Sequence, residues 1–143
     1  MRTHLVLAAV PLLAIGVVAC SGDDDDGGMT TTQDGGSDSG VAAVNGCEEG
    51  DYVDQSSGGD ARTINFGFTV SPACMKIKKG QTVTFSSDFL LHTLVAFNGD
   101  SPNPVSNASG SDTSKTVLFD SVGTFGFKCG VHASMLGAVR VIE

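Results

Sequence analysis

Cys129, His132 and Met135 stand at intervals of three in the run Phe127-Lys128-Cys129-Gly130-Val131-His132-Ala133-Ser134-Met135-Leu136-Gly137. A thiol, an imidazole and a thioether therefore fall within one short loop. Cys129 closes a segment in which Phe125 and Phe127 share its side while Gly126 and Lys128 take the other, so a strand there carries the sulfur into the apolar interior. His132 and Met135 follow on the return toward Val139 and Val141, and His92 reaches the same point if its strand is a neighbour. Two imidazoles and a thiolate in a trigonal set, with a weak axial thioether, suit copper in an electron-transfer role. Thiolate and thioether favour Cu(I), imidazole accommodates Cu(II), and ligands that satisfy both states without moving keep reorganisation small. Zinc is the second choice, because it prefers more thiolate or carboxylate. Two plainer readings compete: His92 as a buried structural histidine and Met135 as core filler.

These residues need a rigid frame, and the surrounding pattern supplies strands. Ile64, Phe66, Phe68 and Val70 alternate with Thr63, Asn65, Gly67 and Thr69; Met75 and Ile77 alternate with lysines; Val83 and Phe85 alternate with Thr82 and Thr84. A further strand over His92 to Phe97 leads into a polar loop through Asn98-Gly99-Asp100, Pro102 and Pro104 to about Ser114, expected to be mobile. Val117 with Phe119, then Phe125 with Phe127, then Val139 with Val141 complete the set. Six or seven short strands with no amphipathic helix predict an all-β domain, an antiparallel Greek-key β-sandwich or barrel.

The chain has 143 residues, enough for one packed domain of about 100 residues. Sixteen acidic residues face eight basic ones, and the longest basic cluster is Lys78-Lys79, which argues against a nucleic-acid partner. The acidity is concentrated before residue 47, where six aspartates and no base follow Cys20. Arg2 and the apolar stretch Leu5 to Ala19 read as a secretory signal peptide over 1–19, too short and broken for a membrane span of about 20 residues. Val17-Val18-Ala19-Cys20 resembles the lipobox of bacterial lipoproteins, which makes Cys20 a lipidated mature N-terminus; ordinary cleavage after Ala19 is the alternative. Residues 20–46 then form a flexible acidic tether, and the folded domain occupies 47–143. The expected location is outside the cytoplasm, as a membrane-anchored lipoprotein facing the periplasm or cell surface. Cys47 and Cys74 remain as a pair in an exported chain and are expected to form a disulfide; ligation of a metal by one of them is the alternative.

The run Phe119, Gly123-Thr124-Phe125, Phe127, Cys129, His132, Met135, Gly137, Val139, Val141, with His92 after Lys79-Gly80-Gln81-Thr82-Val83-Thr84-Phe85, resembles the small blue copper proteins, or cupredoxins. The short Cys-x2-His-x2-Met spacing is most similar to amicyanin within the plastocyanin and halocyanin-like group. That resemblance implies one type 1 copper cycling between Cu(II) and Cu(I), with His92, Cys129 and His132 as equatorial ligands and Met135 as the axial one. It also implies that the His132 ring edge lies in an apolar patch where a donor and an acceptor redox protein dock. Thr93 stands where many relatives carry an Asn that bonds across to the cysteine loop, so the potential does not follow from the resemblance. The expected function is single-electron transfer by a monomer, not enzymatic turnover: a thiol nucleophile lacks an orienting Asn or Asp, and a second copper site lacks histidines. A copper-carrying or copper-sequestering surface lipoprotein is the alternative.

Overall fold

Ile64, Phe66, Val83, Phe85, Val117 and Phe119 are buried, and together they line the inner face of one sheet. Met75, Ile77, Phe125, Phe127, Val139 and Val141 do the same for a second. The computed structural model describes residues 42–58 and 62–143. After a short 3-10 turn at Glu49–Asp51, the strands are β1 (Val53–Asp54), β2 (Thr63–Phe66), β3 (Val70–Ser71), β4 (Cys74–Lys78), β5 (Gln81–Ser86), β6 (Leu94–Gly99), β7 (Ser114–Phe119), β8 (Gly123–Cys129) and β9 (Leu136–Ile142). They form sheets of order β1-β4-β9-β8-β6 and β3-β2-β5-β7, packed as a sandwich. Phe127 knits the two sheets, meeting Phe66 and Phe85 edge-on with centroids 6.1 and 5.0 Å away; such pairs contribute about 0.5–1.5 kcal/mol beyond area burial. The expected all-β sandwich is the fold, and no described helix is long and apolar enough to cross a membrane.

Four details differ from the sequence reading. The sheets are mixed rather than antiparallel, since β1 with β4, β2 with β5 and β4 with β9 pair in parallel. Parallel neighbours cannot be joined by a tight hairpin, and here the chain crosses to the other sheet between them. Nine strands replace six or seven because the two-residue β1 and β3 are too short to leave an alternating pattern. Phe68, expected in line with Phe66, is 99% exposed: β2 stops at Phe66, and Gly67 N–H donates to Thr69 O (3.1 Å) in a turn that re-aims the side chain. The polar loop before β7 is anchored, since Val105 and Ala108 join the core and Ala108 exchanges backbone bonds with Leu94 at 2.9 and 3.0 Å.

The domain also begins earlier than residue 47. Val44 pairs with Cys47, and Val44, Tyr52 and Ala73 pack around Cys47, Cys74 and Ala138 as a second small cluster. Cys47 and Cys74 are disulfide-bonded, and an ion pair joins Glu49 to Arg140 on β9. This segment forms a strap beside the five-stranded sheet. The expected signal peptide, Cys20 and most of the tether lie outside the described residues.

Replacing both Cys47 and Cys74 by Ala should lower stability by about 3–4 kcal/mol on the chain-entropy account of a 27-residue separation. Urea unfolding checks this; an unchanged midpoint would mean that the disulfide adds nothing to what the sheets already hold.

Candidate metal centre

The upstream histidine is delivered by a turn built on Asp88. Its carbonyl accepts from the amides of Leu91 (3.1 Å) and His92 (2.9 Å), and its Oδ1 accepts from Leu90 N–H (3.1 Å). Phe89, wholly buried, plugs this turn into the core, while Leu90 and Leu91 are left exposed. Two residues further on, Leu94 is buried and opposite Cys129 in the β6–β8 ladder. The strand expected over His92 to Phe97 begins only at Leu94, and the Asp88 turn that precedes it sets His92 at the same end of the sandwich as the thiol.

Cys129 is the last residue of β8 and is 2% exposed. Its amide donates to Met135 O (2.7 Å), and Met135 N–H donates to His132 O (3.1 Å), so the intervening loop is folded back on itself. His132 Nδ1 lies 3.6 Å from the Cys129 sulfur, which also accepts from Val131 N–H at 3.4 Å. The His92 and His132 rings stand 4.9 Å apart. One donor atom from each of His92, Cys129 and His132 lies within 4.8 Å of the others. Met135 is 5% exposed and lines, with His92 and His132, a cleft of about 450 Å³ rimmed by Phe68, Leu90, Leu91 and Val131. The structure thus brings together the four side chains that the sequence singled out, and places Cys47 and Cys74 away from them in their own cluster.

The donor set fits a metal ion. His92 Nδ1 is buried without a hydrogen-bond partner, the one such side-chain atom among the described residues; an orphan of this kind is costly unless something satisfies it. A thiol, two imidazoles and a nearby thioether match a soft, redox-active cation. Thr93 O accepts from Gly130 N–H at 2.9 Å, tying the His92 segment to the cysteine loop. The Thr93 hydroxyl packs against Gly130, where a Cβ would lie 2.6 Å from Oγ1. Sequence reasoning missed Asp88 and the residues that make the apolar rim; Ser-Ser-Asp before Phe89 was a turn-capping signal for the first, and Leu90-Leu91 between Asp88 and His92 hinted at the second.

No protein-family model matches this chain, and no curated protein does. Among solved structures, a copper-containing nitrite reductase from Thermus scotoductus SA-01 superposes with a TM-score of 0.52 at 18% identity, over 67% of this chain and 29% of that enzyme. This chain therefore matches under a third of that enzyme's length. A purple cupredoxin from Nitrosopumilus maritimus gives 0.47 at 21% identity, over 58% of this chain and 100% of its own. Amicyanin from Paracoccus versutus gives 0.45 at 19% identity, over 59% and 84%. The architecture is a cupredoxin-like β-sandwich.

Gly130→Ala should destabilise the domain by about 1–3 kcal/mol through overpacking against Thr93, since Gly130 is not among the positive-φ glycines and backbone strain is not at issue. In the Thr93→Ala background the same change should cost little, because the atom in the way is the hydroxyl. Thermal melts of the four proteins check this coupling, and equal costs in both backgrounds would refute it.

Proposed function

We propose that this domain binds one copper ion through His92, Cys129 and His132, with Met135 as a weaker fourth ligand, and transfers single electrons between exported redox partners. The observation that carries the reading is the convergence of two imidazoles and a thiol within 4.8 Å beside a buried, unpartnered His92 Nδ1. Copper, when bound, supplies a one-electron Cu(II)/Cu(I) couple to such a ligand set.

The protein's part is to hold the ligands still and keep water out. The Cys129–Met135 backbone bond fixes the loop ends, the Asp88 turn fixes His92, and the Val131 amide donates to the sulfur. His92, Cys129 and Met135 are buried while His132 is exposed, so the His132 ring is where a redox partner makes contact. Exposed Leu90, Leu91, Val131 and Phe68 give that partner an apolar surface, suited to a small, weak interface below about 1,200 Å². The protein acts as a monomeric carrier rather than an enzyme, anchored to a membrane through lipid at Cys20 and facing the periplasm or cell surface on its acidic tether.

Cu(II) added to the purified chain should give an intense blue thiolate-to-copper band and a narrow copper hyperfine splitting in electron paramagnetic resonance, bleached reversibly by a mild reductant. Cys129→Ser should abolish the band, and His132→Ala should open the site and slow electron exchange. A pale, ordinary Cu(II) spectrum, or a Cys129→Ser protein with the wild-type band, would refute the ligand assignment. Copper lost readily to chelators without redox turnover would point instead to copper carriage.

A further inference from the structure

Asn45 lies outside the candidate centre, yet its side chain is bonded to all three strands that adjoin it. Its Nδ2 donates to Phe97 O on β6 (3.0 Å), Phe127 O on β8 (3.2 Å) and Gly137 O on β9 (2.8 Å). An amide nitrogen has two hydrogens, so three acceptors mean that one bond is shared. Asn98 Nδ2 donates in turn to Asn45 Oδ1 at 2.9 Å. Phe127 and Gly137 flank the Cys129-to-Met135 loop at equal distance along the chain, and β6 starts two residues after His92.

The β6–β8 register breaks between Ala96 and Gly99, and Phe97 sits inside that break with its carbonyl held by Asn45. A bulge interrupts ladder bonding and lets a strand bend; Asn45 bridges this one from outside the ladder. The fit depends on Gly126, where a Cβ would stand 2.6 Å from Asn45 Nδ2 and 2.9 Å from Val44 Cγ1. Asn45 (φ 55°) and Gly46 (φ 81°) are both left-handed, the region that Asn and Gly tolerate best. Cys47 N–H closes the turn on Val44 O (3.0 Å), and the Cys47–Cys74 disulfide pins it to β4.

We propose that Asn45 is a positioning residue for the metal centre: a clamp outside the site that fixes the spacing of the three strands whose ends flank the candidate ligands, pinned by the disulfide. As a statement about copper it rests on the function proposed above; as a statement about the loop it stands alone. The clamp acts where the edge strand would otherwise part from β8, and so governs how tightly the loop end of the sheet stays closed.

Asn45→Gly keeps the left-handed backbone and removes the carboxamide; Asn45→Asp keeps the shape but turns a carboxylate on three carbonyls. Amide hydrogen exchange of the copper-free full chain should show Cys129 and Met135 losing about tenfold more protection than Thr84 and Val117 of the other sheet in both variants. The copper-loaded variants should release copper to a chelator faster than wild type, with a shifted blue band. Equal loss of protection in both sheets would make Asn45 a general stability residue and overturn the proposal. Unchanged exchange and unchanged copper release would also overturn it. If wild type takes up no copper, the proposed function falls, while the exchange comparison still decides whether Asn45 holds the loop.

Discussion

The amide of Cys129 donates to the carbonyl of Met135 at 2.7 Å, where the last residue of β8 meets the approach to β9. Directly beneath it the ladder continues through Lys128 with Leu136 and Phe127 with Gly137, so the ends of the candidate loop cannot part without opening the five-stranded sheet. The thiol is consequently held by secondary structure. His132, between those fixed ends, inherits its place from them, and Met135 donates back to His132 O. The second imidazole depends on the same frame through Leu94, which pairs with Cys129, and through Thr93, whose carbonyl holds Gly130. Side chains contributed by widely separated segments thus share one backbone scaffold.

That scaffold leaves an asymmetric site. Its inner side is the sandwich core, apolar and aromatic, with Phe127 between Phe66 and Phe85. Its outer side is a shallow apolar rim on three different segments: Phe68 from the turn after β2, Leu90 and Leu91 from the Asp88 turn, and Val131 from the cysteine loop. Exposed apolar groups scattered singly are ordinary, but four gathered around one cleft form a patch of the kind that marks a contact surface. A low-dielectric interior behind the donor atoms strengthens electrostatic interactions among them.

The strands that place the thiol were legible because half-buried β structure writes a period of two: Phe125, Phe127 and Cys129 are inside as their spacing implies. The candidate donor cluster was legible for a separate reason, since few side chains bind soft metals and the chain has few of them. Strand direction was not legible, because the same alternation serves parallel and antiparallel neighbours; β4 beside β9 carries no mark in Met75 and Ile77 of which way its partner runs. Phe68 misled because the alternation of apolar residues continues past a turn set by backbone bonds alone. Asn45 was invisible for the opposite reason. It sits among small residues at the end of a stretch that reads as tether, and its role comes from carbonyls distant in sequence, which no local pattern encodes.

The parallel pairing of Cys74–Lys78 with Ala138–Ile142 joins segments far apart in the chain. A chain that emerges from its N-terminal side presents Cys47 and Cys74 long before β9, so the disulfide can close while half of its sheet is still unmade. The central strand β9 then has to insert between β4 and β8, a long-range closure of the slow kind. Cys129, His132 and Met135 all precede β9 closely and gain their fixed backbone from it. The loop that carries His132 and Met135 therefore has both ends fixed only once β9 stands between β4 and β8.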